Sequence, residues 1–166
     1  MEEWKDIEGY EGVYQVSNKG RVKRCRTTIT MRNQNTSWEH TVGELIMSPS
    51  LDSKGYPQVT LTIGGRRVAR VHRLVAEAFL PPPSQEILHQ CIAGGVDYVL
   101  VNHIDNDRTR NEVENLEWAS PASNTKHCVD QGRINISTTC GSKNYCAILT
   151  EDNVDEILLL LKSGIS

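Results

Sequence analysis

The sequence, 166 residues long, predicts an α+β fold on three observations. Short segments that alternate apolar and polar residues are joined by Gly- and Asn-containing turns, the pattern of β-hairpins. Residues 71–79 (VHRLVAEAF) place apolar side chains at helical spacing and run into Pro81-Pro82-Pro83, which stops a helix. Residues 98–127 then read strand, turn, strand, helix. The expected layout is a small β-hairpin module over 1–80, a second core over 81–130, and a linker with a C-terminal helix over 131–166.

In the first module Trp4, Ile7, Tyr10, Tyr14 and Val16 furnish a small apolar core. Residues 14–17 and 21–24 form two short strands around Asn18-Lys19-Gly20. Residues 33–55 are polar and read as a loop with one short strand at Leu45-Ile46-Met47. Residues 56–63 alternate cleanly, Gly64-Gly65 turns the chain, and Arg66 to Val71 returns as a second hairpin. His72, at the start of the amphipathic helix, reads as structural or phosphate-binding. Residues 84–97 fit no site. Tyr98 to Val101 read as a buried strand ending at Asn102-His103, and Asp105-Asn106-Asp107 as a turn whose residue types tolerate a left-handed backbone. Residues 113–118 alternate as the return strand. Ser120-Pro121 opens a helix that carries Asn124 and His127 on one face. Thr150 followed by acids opens a last helix with Ile157, Leu160 and Leu161 as its stripe.

Net charge is −3, but its distribution is uneven. Residues 1–75 hold 12 Lys/Arg against 8 Asp/Glu, whereas residues 76–166 hold 6 against 13. Binding of a polyanion depends on the local field and not on the total. From Lys19 to Arg32 there are six basic residues and no acid. Lys19, Arg21, Lys23, Arg24 and Arg26 on the first hairpin, with Arg66, Arg67 and Arg70 on the second, are the candidate phosphate contacts, because a two-stranded ribbon fits a DNA major groove. No apolar run is long enough to span a membrane and no secretory leader is read, so a cytoplasmic, non-membrane chain is expected. The five cysteines lack a CxxC pair, which favours reduced thiols over a metal site. A zinc-bound interaction domain built from His127, Cys128, Cys140 and Cys146 is a distant rival.

Asn102-His103 at a strand end, Asn115 in Asn115-Leu116-Glu117-Trp118, and Asn124 on the following helix resemble the HNH motif of ββα-metal nucleases. The resemblance is to the branch found in phage and intron homing endonucleases. Residues 2–26 are similar to the small N-terminal module that accompanies HNH domains there. The resemblance implies roles residue by residue: His103 as general base, Asn115 as the brace of its loop, and Asn102 and Asn124 as metal ligands. His127 and Asp105 are further ligand candidates, although Asp105 reads more readily as a turn residue. The sequence departs from the family pattern at Asn106, where glycine is frequent, near Arg110, where a second Asn is frequent, and at Ser123, where Glu is frequent. The C-terminal segment resembles the opening of a helix-turn-helix reader that here ends after one helix.

Phosphodiester hydrolysis needs an activated water and stabilisation of charge on the phosphoryl group and the departing 3′-oxygen. A neutral imidazole can take the water's proton near pH 7, a contribution of roughly 10²–10⁴ in rate. The family implies one divalent ion, Mg²⁺ or Mn²⁺, to stabilise that charge. The expectation is therefore a metal-dependent endonuclease acting on double-stranded DNA as a monomer. With one motif per chain, it nicks one strand. The rival is a DNA-binding protein on the same scaffold with weak or no turnover.

Overall fold

The computed structural model describes residues 1–63 and 65–132. Met1–Ala122 form one compact unit, and a second begins at Ser123. The described elements are, in chain order, β1 (Trp4–Asp6), β2 (Tyr14–Ser17), β3 (Val22–Arg24), β4 (Thr27–Arg32), β5 (Ser37–Val42), β6 (Leu45–Ile46), β7 (Ser50–Leu51), β8 (Pro57–Leu61), β9 (Arg67–Arg70), α1 (Val71–Phe79), α2 (Gln85–Ala93), β10 (Leu100–His103), a 3₁₀ turn (Val113–Asn115), β11 (Leu116–Ala119) and α3 (Pro121–Asp130). The expected α+β class holds. The expected C-terminal helix, its helix-turn-helix reading and Cys140 and Cys146 lie outside the described residues.

Four small antiparallel sheets account for the described strands, in the orders β1-β2-β3-β6, β4-β5, β7-β8-β9 and β10-β11. None is large enough to stand alone in water, since an isolated hairpin is marginal at best. Three of them, all but β4-β5, gain stability by covering α1. That helix begins without a side-chain cap, directly after β9, and buries Val71, His72, Leu74, Val75 and Ala76. Its buried face joins Tyr14, Val16 and Val22 of the first sheet, Val59, Leu61 and Ala69 of the third, and Leu116 of the last in one cluster. The core thus runs across the expected border at residue 80. In β8 the alternation is literal: Pro57, Val59 and Leu61 are buried while Gln58 and Thr60 are not.

Polar ties fix the sheets around that core. The Tyr14 hydroxyl accepts from the backbone N–H of Thr62 at 3.1 Å and Ile63 at 3.4 Å, fastening the first sheet to the end of β8. The Lys5 ammonium donates to the Ala78 carbonyl at 3.0 Å, near the end of α1. The Trp118 indole donates to the Pro81 carbonyl at 2.8 Å.

The chain departs from the expected element pattern at α2, where no helix was expected, and in three further places. Residues 27–42, whose part from 33 on lies in the stretch 33–55 expected as loop, carry the ribbon β4–β5, paired from Thr27↔Val42 to Arg32↔Ser37. Its turn is closed by Asn33, whose Oδ1 accepts from the N–H groups of Asn35 and Thr36 at 3.0 and 2.7 Å. The expected buried strand at 98–101 is displaced to Leu100–His103, and Tyr98, which lies before it, is exposed. The return strand starts at Leu116, since Val113–Asn115 wind into a turn in which Asn115 N–H bonds the Glu112 carbonyl.

Tyr14→Phe removes the acceptor of two backbone N–H groups at a fully buried position. It should lower stability by about 1–3 kcal/mol, read as a lower urea midpoint at unchanged slope.

Candidate active site

β10 and β11 pair in antiparallel register, Leu100↔Ala119 through His103↔Leu116, and the loop from Ile104 to Glu112 joins β10 to the 3₁₀ turn. Asn106 makes the sharp turn after His103 with φ +63°, and is the one described non-glycine residue with positive φ. Asn is among the few side chains that tolerate that region. Its N–H bonds the His103 carbonyl at 3.0 Å.

The loop is closed from inside by Asn115, which is buried. Its Oδ1 accepts from the Asp105 N–H at 3.1 Å. Its Nδ2 donates to Asp105 Oδ1 at 2.8 Å and to the Arg110 carbonyl at 2.9 Å. Asp105 in turn accepts from the Asp107 N–H at 2.9 Å and from Arg110 at 2.6 Å. Those donors, the Asp107 N–H first, hold its carboxyl below the usual carboxylate range. Both of its oxygens are engaged within the loop.

His103 is buried at the end of β10. Its Nε2 lies 3.0 Å from Oδ1 of Asn111, a buried residue on the far side of the loop. The ring packs edge-on against His72 at a centroid distance of 5.1 Å, and Tyr56 packs on His72 at 4.9 Å and on His103 at 6.1 Å. The guanidinium groups of Arg70 and Arg108 sit over the Tyr56 ring at 4.8 and 5.0 Å. His72 Nδ1 has no hydrogen-bond partner in its buried position. Burial, then the neighbouring His103, Arg70 and Arg73, push its pKa down to about 3, so the ring is neutral near pH 7.

Asn102, one residue before His103, is also buried and faces Glu117 across the ladder. Its Nδ2 donates to Glu117 Oε1 at 2.8 Å, which fixes which end of the amide meets the carboxylate. Asn124 is half-buried on α3, within the second unit. His127 lies one turn further, its Nε2 accepting from the Gln131 amide at 2.9 Å. Among the described residues no group of three or more His, Cys, Asp or Glu is arranged to hold a metal.

The basic candidates divide into two groups. Lys19 pairs with Glu114 at 3.1 Å, Arg21 with Glu2, and Arg70 with Asp52 at 2.6 Å. Lys23 lies over the Trp4 ring at 4.5 Å and Arg24 donates to the Gly43 carbonyl at 3.1 Å. Arg26, Arg66 and Arg67 are exposed. Among the described residues no helix is long and apolar enough to cross a membrane.

A buried histidine at a strand end, a loop clamped by an asparagine and a returning strand accompany a fold similar to that of an HNH endonuclease. The chain is homologous to HNH homing endonucleases. Residues 2–62 match the NUMOD4 motif. The DNA endonuclease I-HmuI of Bacillus phage SP01 is 32% identical over 136 residues, 81% of this chain and 62% of that protein. The uncharacterized HNH endonuclease L247 of Acanthamoeba polyphaga mimivirus is 30% identical over 136 residues, 81% of this chain and 28% of its own length. A solved structure concerned with DNA binding and cleavage by the HNH homing endonuclease I-HmuI matches with a TM-score of 0.57 at 28% identity. That match covers 82% of this chain and 63% of the other. The chain therefore spans less than two thirds of the relatives' length.

Two residues at the site carried no motif in the sequence. Asn111 had only its place between Arg110 and the return strand as a signal. Tyr56 read as the first residue of an alternating strand, and its ring contacts arise from tertiary packing.

The neutral state of His72 makes stability depend on acid. Its folded pKa lies below its usual 6.5, so below that value the unfolded chain binds a proton that the native state does not. Stability due to this group is complete above about pH 6.5 and should decline by up to about 1.4 kcal/mol per pH unit toward pH 3. Urea titrations at pH 7.5 and pH 5 should show a smaller difference for His72→Phe than for the native chain.

Proposed function

We propose that this chain is a metal-dependent DNA endonuclease that nicks one strand of a duplex, with His103 as general base. The observation that carries this reading is the placement of His103. It ends a strand beside Asn102, its Nε2 is engaged by Asn111, and its loop is clamped by Asn115. That is the arrangement a fixed proton acceptor needs. The homology to HNH endonucleases supports it.

In this reading Asn102 and Asn124 contribute amide oxygens to one Mg²⁺ or Mn²⁺. The amide oxygen that each of these side chains carries is a donor type that suits a hard, oxygen-seeking ion. When bound, such an ion offsets negative charge that grows on the phosphate and on the departing 3′-oxygen. Asp105 is left out of the ligand set because the loop engages both its oxygens. His127 stays a reserve ligand. His103 draws the proton from water through the ring nitrogen that Asn111 does not hold. Asn115 keeps the loop from shifting that nitrogen, and the neutral His72 packs the ring without adding a competing charge.

The DNA contacts fall on the exposed part of the basic set: Arg26, Arg66 and Arg67, with Lys23 and Arg24 beside them and β4–β5 as a ribbon for the groove. Lys19, Arg21 and Arg70, each already ion-paired, act chiefly in holding the fold. The working form is a monomer in a cytoplasm where the DNA is found.

Incubation with supercoiled plasmid and Mg²⁺ should yield open circles, and chelation should stop it. His103→Ala should lower the nicking rate by roughly 10²-fold or more with DNA affinity nearly unchanged. Equal loss of affinity and rate would assign His103 to binding or folding. Charge reversal at Arg26, Arg66 or Arg67 should reduce the slope of log affinity against log salt by about 0.9 per lost contact. An unmoved slope would turn these hairpins away from DNA.

A further inference from the structure

We infer that Asn111 is a positioning residue that fixes both the tautomer and the ring orientation of His103. The inference rests on the reading of His103 as general base, but its test reads the ring directly.

The chemistry follows from which atoms face each other. The Asn111 Nδ2 donates to the Thr109 carbonyl at 3.1 Å, which sets the amide so that Oδ1 points to His103. Oδ1 lies 3.0 Å from His103 Nε2. An amide oxygen accepts and never donates, so Nε2 carries the hydrogen. A neutral imidazole with hydrogen on Nε2 has its lone pair on Nδ1, and Nδ1 is then the atom that can accept a proton. A second bond through the other nitrogen is how proteins commonly pin an imidazole that must act at one end.

Asn111 is itself held in place, and by the N-terminal hairpin. Gly20, at the turn between β2 and β3, has φ +75°. A Cβ built there would come within 2.9 Å of both the Cβ and the carbonyl oxygen of Asn111. Glycine alone permits so close an approach. On either side of that contact the Val113 N–H donates to the Asn18 carbonyl at 2.9 Å and Lys19 pairs with Glu114. The hairpin turn therefore backs the residue that holds the base.

Two substitutions separate orientation from loop closure. Asn111→Leu keeps the volume and loses both the bond to Thr109 and the acceptor for Nε2. Asn111→Asp loses the donor to Thr109 but keeps an acceptor oxygen. The measurement is the imidazole ¹⁵N–¹H spectrum of the full chain labelled at histidine, with His103→Gln to assign its signals. In the native chain and in Asn111→Asp, the His103 Nε2–H proton should be shifted downfield and slow to exchange. In Asn111→Leu it should be lost, and nicking should fall roughly tenfold or more at unchanged DNA affinity. Equal effects of Leu and Asp on the His103 spectrum would make Asn111 a loop-closing residue and overturn the inference. So would a native His103 with its proton on Nδ1, a result that needs no variant to fold. Absence of nicking by the native chain, with the Nε2–H signal as expected, would overturn the functional reading and leave the orientation of His103 standing.

Discussion

The burial of Val71, Leu74 and Val75 is the constraint on which the rest of the first unit depends. Its sheets have between two and four strands, and the longest described strands have six residues. Such pieces lack the apolar face needed to persist alone. A nine-residue helix is equally short of self-sufficiency. Three of the sheets close on α1 and share its apolar face, so neither sheet nor helix is conditional on its own propensity. One consequence is that His72, the second residue of α1, is carried into the interior, where it meets His103.

The active-site loop inherits its order from this arrangement rather than from regular secondary structure. Between His103 and Leu116 most of the backbone has no ladder to join, and side-chain amides take over the pairing. Asn115 satisfies one N–H and one carbonyl of the loop and a carboxylate oxygen besides. Asn111 does similar work with a single carbonyl and an imidazole. Amides suit this role because each offers a donor and an acceptor without a charge that burial would penalise. The charged members, Asp105 and Arg110, stay on the exposed side of the loop and pair there.

What the sequence revealed follows from which signals are local. The helix at 71–79 was legible because its apolar spacing and the prolines after it are both written within a dozen residues. So were the hairpin at 14–24 and the alternation in β8. The ribbon β4–β5 was not, because it buries almost nothing and so shows no apolar alternation. Its signs were subtler: the β-branched run Thr27-Thr28-Ile29-Thr30 and the turn-forming Asn33. Helix α2 was also missed, although Ser84 accepts from the Ile87 N–H as a cap and Gly94 ends the helix. Of the site, Asn102, His103 and Asn115 were read from a motif that keeps them in order along the chain. Asn111, Gly20 and His72 meet through the fold, across 90 residues in the case of Gly20 and Asn111, and pattern within a segment does not register such pairs.

The ribbon β4–β5 has a further consequence for the life of the protein off its target. Among the described residues it pairs with no other strand, and Met31 and Trp38 are exposed on it. Both of its margins present unpaired peptide groups, the template on which a second chain can add. Arg32, Glu39 and His40 place charge or polarity near those margins and oppose such addition, as gatekeepers do in sheet proteins. When the chain is concentrated or heated, self-association should begin from this ribbon before the core around α1 opens. The same exposure makes the Asn33–Thr36 turn the first described place for a protease to cut.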